Sequence, residues 1–263
     1  MVAFHGKQEV KDLYLGRVRA HRAADQLQQN FGYWRRDGNG EFRGCAVGCT
    51  LHSSNHGAYE AELGIPRILA RLEDGIFEGL PAERAQAWPE EFLSAAHPGA
   101  DLSMVWPQFV VWMLSDSEWG IARFAKTDKT RAAIERVAEF YGRLVAGDAI
   151  AYREWRDADA YAAADAYAAA ADAYAAAAAA AAADAYAAAA AYAAAAAAAA
   201  ADAYAAAAAD AYAAAAAAAA ADAYAAAAAA RKAMRVAQAD MLLALMSAAP
   251  IPIAMEASRE AIV

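Results

Sequence analysis

Apolar and polar residues follow one another along residues 1–156 with the spacing of amphipathic helices. Between residue 7 and about residue 29 this spacing predicts a helix whose inward face carries Val10, Leu13, Tyr14 and Val18. Pro66 opens a second stretch, with a predicted buried face of Ile68, Leu69, Leu72 and Ile76 or Phe77. Residues 81–96, 100–114 and 127–147 repeat the helical period. The pattern predicts a compact helical N-terminal domain.

A turn interrupts the helical pattern after the first helix. The stretch YWRRDGNGEF, residues 33–42, contains Asp-Gly and Asn-Gly, which supply the positive φ angles that tight turns need. A short β-hairpin fits this segment.

The pattern changes completely from residue 157 to residue 230, where the chain consists of alanine, aspartate and tyrosine alone. Alanine has the highest helix propensity, and no Gly, Pro, Asn or Ser intervenes, so we expect one uninterrupted helix about 110 Å long. Its tyrosines fall on all sides of the axis and define no coiled-coil seam. The alternative is a set of helices folded back on one another. We expect either a spacer rod or a rod that binds a partner or self-associates through Ala–Ala packing.

An apolar stripe returns after the Ala-rich segment, at Met234, Ala237, Met241, Leu242 and Leu245, and Pro250 and Pro252 end it. This stripe is expected to dock on the N-terminal domain, a second copy or a partner. The predicted fold is therefore mainly α: a helical globular domain (1–156), a helical rod (157–230), and an amphipathic C-terminal helix with a tail (231–263). The first domain is expected to fold without the other two.

Charge narrows the range of partners. The chain carries a net charge of −9, and its Ala-rich segment holds eight aspartates and no basic residue. This acidity disfavours nucleic acid as a partner, because nucleic-acid binding needs clustered Lys and Arg. The recurring aspartates also argue against a membrane-spanning helix. The N-terminus lacks a secretory pattern, and the chain has two cysteines, so we expect a cytoplasmic protein with reduced thiols.

Both cysteines and two of the five histidines lie within twelve residues, at Cys45, Cys49, His52 and His56. Thiolate and imidazole are the preferred ligands of zinc, so the sequence predicts a zinc-type site formed by these four residues. A regular helix would place the outer two about 16 Å apart, too far for one ion. Two arrangements survive: a loop that brings Cys45 and Cys49 back to a helix bearing the histidines, or a site of Cys49, His52 and His56 completed by Glu60, Glu62 or water.

Two other interpretations of the cluster stay open. Cys49 at a helix N-terminus near an imidazole is a candidate nucleophile, which would make the protein a small hydrolase or transferase, with or without zinc. Alternatively, the cysteines pack in a tight glycine-rich turn and the histidines form surface hydrogen bonds. A non-enzymatic binding or scaffold protein remains our first expectation.

Three stretches of the chain carry a resemblance to known proteins: GCAVGCTLHSSNHGAYEAELGIP, LARLEDGIFEGL and GADLSMVWPQFVVWML. Through them, residues 4–115 resemble an uncharacterised family of phage and prophage-type proteins, whose members pair such a domain with a low-complexity Ala-rich tail. It implies a phage or bacterial setting and a two-part design, and it assigns no catalytic residue.

Overall fold

The computed structural model describes residues 1–30, 34–53, 55–151, 153–154, 157 and 204–252, and in the last range the side chains of 225–226 and 228–252. Over these residues the protein is mainly helical, which confirms the predicted fold class. Two short strands form the sheet of this part of the chain.

The helices and strands follow the predicted order closely. The α-helices are α1 (Gln8–Ala23), α2 (Ala46–Leu51), α3 (Arg67–Phe77), α4 (Ala82–Ala95), α5 (Val105–Ser115), α6 (Asp128–Val145) and α7 (Tyr204–Ser247). Short 3-10 turns lie at Ala3–Gly6 and Ile121–Phe124, and a π-helical turn lies at Tyr59–Leu63. Strands β1 (Trp34–Arg36) and β2 (Phe42–Gly44) pair antiparallel, with Trp34 opposite Gly44. This pairing is the hairpin that the Asp-Gly-Asn-Gly turn indicates.

The buried face of α1 differs from the predicted one. Leu13 was expected to face inward and is 58% exposed, whereas Leu15 is buried. The buried side also includes Lys11, whose Nζ donates to the backbone oxygens of Ser94 and Ala96, each at 2.8 Å. These oxygens lie at the end of α4, where helix carbonyls lack intrahelical partners. A polar contact that periodicity does not reveal thus shares this face with the apolar residues.

One hydrophobic core joins most of these helices. Its largest fully buried side chains are aromatic: Trp88, Tyr59, Phe4, Phe77, Phe92 and Phe109. A smaller cluster forms where α5 meets the second half of α6, around Val110, Leu114 and Ala138.

The C-terminal part of α7 belongs to the main core. Ala239, Leu242 and Met246 have no exposed surface and belong to the same cluster as the aromatic residues. Of the predicted stripe, Leu242 is fully buried, and the other members are only partly so: Met234, Ala237, Met241 and Leu245. The predicted stripe therefore lies to one side of the true contact face.

Polar contacts reinforce the docking of α7. Asp240 accepts from Arg84 at 2.8 Å, and the Asp101 backbone N–H donates to the Pro250 oxygen at 2.8 Å. Arg235 lies so close to Gly79 that an added Cβ there would stand 2.6 Å from its Nε. The C-terminal part of α7 therefore docks on the N-terminal domain, which is one of the three partners expected for it.

Contacts divide the chain into two units. The first contains Met1–Phe124, Ile134–Ile150 and the C-terminal segment from Arg231, and the second contains Ala125–Ala133 and Ala151–Ala230. The C-terminal segment thus belongs to the same unit as most of the N-terminal domain. The boundaries 1–156, 157–230 and 231–263 stay a prediction, but independent folding of residues 1–156 is no longer expected.

Within the Ala-rich segment, residues 204–230 are helical as part of α7. Most of the remainder lies outside the described residues, so the uninterrupted helix over 157–230 stays a prediction. Among the helices that the structure describes, none combines the length and apolarity that crossing a membrane requires.

We predict that Leu242→Ala destabilises the protein by about 2–5 kcal/mol, because it empties a fully buried position in the shared core. Leu13→Ala is the matched control: the same truncation at a 58% exposed site should change stability by less than about 0.5 kcal/mol. Denaturant unfolding of the full-length variants gives both values.

A truncated protein that ends at Arg156 should then lose its cooperative transition. Equal stabilities for the two leucine variants, or cooperative unfolding of the truncated protein, would show that α7 does not complete the core.

Candidate functional site

Helix α2 fixes the positions of the cysteine–histidine cluster. All six of its residues are buried, with Cys45 at its N-cap and His52 at its C-cap. His52 has φ 57°, a left-handed conformation that ends the helix. The expectation that one helix carries both His52 and His56 is therefore wrong, because the chain turns before His56.

Cys49 lies in the core. It has no exposed surface, and its Sγ donates to the Gly44 oxygen at 3.5 Å and to the Gln26 oxygen at 3.7 Å. Burial raises the pKa of Cys49 to about 12. The thiol is therefore protonated at neutral pH and closed to solvent, the opposite of what a nucleophile needs.

Cys45 faces two carboxylates from α3. Its Sγ and a carboxylate oxygen each of Asp74 and Glu78 lie within 4.8 Å of one another. Cys45 is 1% exposed, and the two acids are half-buried. Burial, followed by a hydrogen bond with the Asp74 carboxylate, raises the pKa of the Cys45 thiol. We call this cluster of Cys45, Asp74 and Glu78 the thiol–carboxylate site.

Each carboxylate of the thiol–carboxylate site is held through one oxygen. His56 Nε2 lies 3.4 Å from Asp74 Oδ2, and the Asn30 backbone N–H donates to Glu78 Oε2 at 2.5 Å. Asp74 Oδ1 is buried and has no hydrogen-bond partner among the described residues. An orphaned carboxylate oxygen of this kind is costly and indicates a missing ligand or proton.

A second buried acid adjoins the thiol–carboxylate site. Glu73 is fully buried, and its Oε2 accepts from the Tyr59 hydroxyl at 2.5 Å. Burial raises the pKa of Glu73 well above 4.5 and that of Tyr59 well above 10.0. Trp88 Nε1 donates to the Glu73 backbone oxygen at 2.9 Å. This acid is therefore a buried core group that links α3 to α4 and to the π-helical turn.

His52 belongs to a different cluster, built on the hairpin. Its Nε2 lies 2.7 Å from His21 Nε2, and its ring stacks on Trp34 with centroids 4.7 Å apart. Trp34 in turn stacks on Phe42 at 4.9 Å, and the Arg36 guanidinium lies 4.2 Å from the centre of the Phe42 ring. His52 thus ends a column of aromatic rings at the surface.

The structure therefore distributes the four predicted ligands over three environments. Cys49 is in the core, His52 is beside His21, and Cys45 and His56 both adjoin Asp74. The proposed completing acids are engaged elsewhere: Glu60 accepts from the Arg67 N–H, and Glu62 accepts from the Tyr14 hydroxyl. A zinc site formed by Cys45, Cys49, His52 and His56 together stays a prediction.

Sequence reasoning missed Asp74 and Glu78. They lie four residues apart at the end of α3, and a spacing of four places two side chains on the same face of a helix. Glu73, which occupies a core position between Leu69 and Ile76, is a further sign that α3 buries acidic side chains. No sequence signal connects these acids with Cys45.

An apolar groove lies along α7 and borders its core contacts. It has a volume of about 630 Å³ and is lined by Trp112, Trp119, Ala233, Val236, Ala237, Asp240, Met241 and Ala244. We call it the tryptophan groove. Arg231 and Lys232, both exposed, directly precede its first alanine. The groove is thus mainly apolar, and two exposed basic residues precede it on α7.

Comparison of the chain with family models, curated proteins and solved structures finds no match.

We predict that acid destabilises the protein through the His21–His52 pair. Partial burial, then Arg17, then His21 lower the pKa of His52 below its ordinary value of 6.5. The unfolded chain therefore takes up the proton first, so stability is complete above about pH 6.5 and falls as the pH drops through the lowered pKa. Unfolding free energies measured between about pH 5 and pH 7.5 give the slope.

His52→Gln should flatten that slope, because it removes the group whose protonation the fold resists. His97→Gln is the control, since His97 is exposed and belongs to no such pair among the residues that the structure describes. An unchanged slope in His52→Gln would contradict the prediction.

Proposed function

We propose that this chain is a non-enzymatic binding or scaffold protein of phage or bacterial origin. A zinc-type ion stabilises its helical N-terminal domain, which we call the head, and its Ala-rich segment serves as a spacer or oligomerisation element. The origin rests on the resemblance of residues 4–115, and two free, buried cysteines fit a cytoplasmic, reducing compartment.

The tryptophan groove carries the binding part of this proposal. Two indole rings and the alanines of α7 form an apolar surface, and its one charged lining residue, Asp240, is paired with Arg84. Burying such a surface against a partner is favourable, because it leaves no charged lining residue without an ion-pair partner.

The occupant that fits best is the Ala-rich helical segment of a second copy. Alanine side chains let another helix approach closely, and interaxial distance depends on the size of the contacting side chains. The segment carries eight aspartates and no basic residue, whereas Arg231 and Lys232 mark the end of the groove. Opposite charges therefore set the register of the contact.

The environment of Cys49 argues against the alternative of a small hydrolase or transferase. A nucleophilic cysteine must be a thiolate that substrate can reach. Cys49 is fully buried, its pKa is raised to about 12, and it donates to two backbone oxygens. A structural role accounts for all three observations.

We predict that the full-length protein self-associates in a concentration-dependent way, and that salt weakens the association by screening the Asp–Arg/Lys attraction. Ala233→Glu together with Ala244→Glu places charge in the groove at two exposed positions and should weaken association at least about tenfold. Light scattering over a concentration series measures this.

Ser247→Glu is the control, because it adds the same charge at an exposed α7 position outside the groove. A wild-type protein that is monomeric at all concentrations would contradict self-association. The groove would then have to bind a different protein for the binding proposal to hold.

We also predict that Cys49 resists alkylation in the native protein. A pKa of about 12 instead of 9.0 leaves roughly a thousandfold less thiolate at neutral pH, and burial blocks access as well. In the Cys45→Ser protein, where Cys49 is the sole cysteine, labelling should become fast only in denaturant. Rapid stoichiometric labelling of the native protein would favour the enzyme alternative.

A further inference from the structure

The interior between α2 and α3 holds more acidic groups than its surroundings neutralise. The Cys45 thiol, the Asp74 and Glu78 carboxylates and the Glu73–Tyr59 pair lie together there, and His56 is the basic group bonded to them. Buried carboxylates are stable only when they are paired, protonated or bound to a cation. Tyr59 donates to Glu73 Oε2, whereas Glu73 Oε1 and Asp74 Oδ1 have no hydrogen-bond partner among the described residues.

We propose that the thiol–carboxylate site binds one divalent cation of the zinc class, with Cys45 Sγ, Asp74 Oδ1 and a Glu78 oxygen as its protein ligands. This assignment rests on the metal-stabilised head of the proposed function and replaces its ligand set. Cys49 and His52 have no part in it.

The spacing of the three groups fits such an ion. Tetrahedral zinc with ordinary bond lengths places a sulfur and an oxygen ligand about 3.6 Å apart. Cys45 Sγ and one carboxylate oxygen from each acid already lie within 4.8 Å of one another, so a movement of about 1 Å completes the site. Side-chain rotation of two half-buried acids at the end of α3 supplies a movement of this size.

Neighbouring residues orient both carboxylates of the site. His56 engages Asp74 through Oδ2, and Asn30 engages Glu78 through Oε2. This is the usual relation between a metal ligand and the residue that positions it. His56 is accordingly a positioning residue. Its contact explains why an imidazole from the sequence cluster adjoins the site without being a ligand.

The chemistry of the donors selects the cation. One sulfur with two carboxylate oxygens favours zinc and similar transition ions over magnesium or calcium, which prefer oxygen alone. The ion displaces the Cys45 proton to solvent and forms the metal–thiolate bond. Glu78 is the C-cap of α3, where the helix dipole also favours positive charge. Partial exposure of Asp74 and Glu78 gives the ion a route in and leaves a coordination position for water.

Titration of the chelator-treated full-length protein with Zn²⁺, and separately with Co²⁺, tests the assignment. We expect one equivalent of each ion, and the cobalt complex should show the near-ultraviolet charge-transfer band of a cobalt–thiolate bond. Cys45→Ser should abolish that band and weaken Zn²⁺ binding at least about a hundredfold. The matched control, Cys49→Ser, removes the other buried thiol and should leave the band and the affinity unchanged.

Glu78→Gln tests the site at a half-buried position where the fold tolerates change more readily. It should retain the thiolate band and weaken Zn²⁺ binding at least about tenfold. His56→Ala should weaken binding while retaining the band, whereas His52→Ala should change neither.

The opposite results overturn the assignment. The assignment is wrong if the wild type lacks the band or if Cys45→Ser retains it. It is also wrong if Cys49→Ser or His52→Ala loses the band, and either of these losses would favour the ligands expected from the sequence. Light scattering of the metal-free protein keeps the proposed function separate. Self-association without metal binding would contradict only the metal site, whereas metal binding by a strict monomer would contradict only the self-association.

Discussion

The complete burial of α2 is the constraint on which the chemistry of this protein depends. A six-residue helix with every side chain in the core cannot rotate or slide, so the residues at its two ends are fixed. Cys45 is held at one end against α3, and His52 ends the helix beside α1 and the hairpin. The cysteine–histidine cluster is compact in sequence, but the helix that runs through it separates its members in space.

Polar groups inside the head are arranged by the same packing. Lys11 reaches the last carbonyls of α4, and Glu73 accepts a hydrogen bond from Tyr59. Both contacts join two elements and offset part of the cost of burying a polar group. Two buried carboxylate oxygens, Glu73 Oε1 and Asp74 Oδ1, have no hydrogen-bond partner among the described residues, and Asp74 belongs to the thiol–carboxylate site.

The C-terminal part of α7 connects the head with the acidic Ala-rich segment. One face of it carries Leu242 and Met246 into the core, and another borders the tryptophan groove. The same helix therefore contributes to the core of the head and lines an apolar groove. The charge of the chain is divided accordingly, with aspartates in the Ala-rich segment and exposed basic residues where the helix enters the head.

The sequence by itself determined the helical class, the hairpin at residues 34–44, the start of α3 after Pro66, and a C-terminal apolar helix. These features depend on local periodicity and turn chemistry, which short stretches of chain express on their own. Tertiary structure alone decided which face of α1 is buried, that α7 completes the head, and that Cys45 meets Asp74 and Glu78. Those outcomes depend on contacts between residues distant in sequence, such as Lys11 with Ser94 and Arg84 with Asp240, for which no local pattern carries a signal.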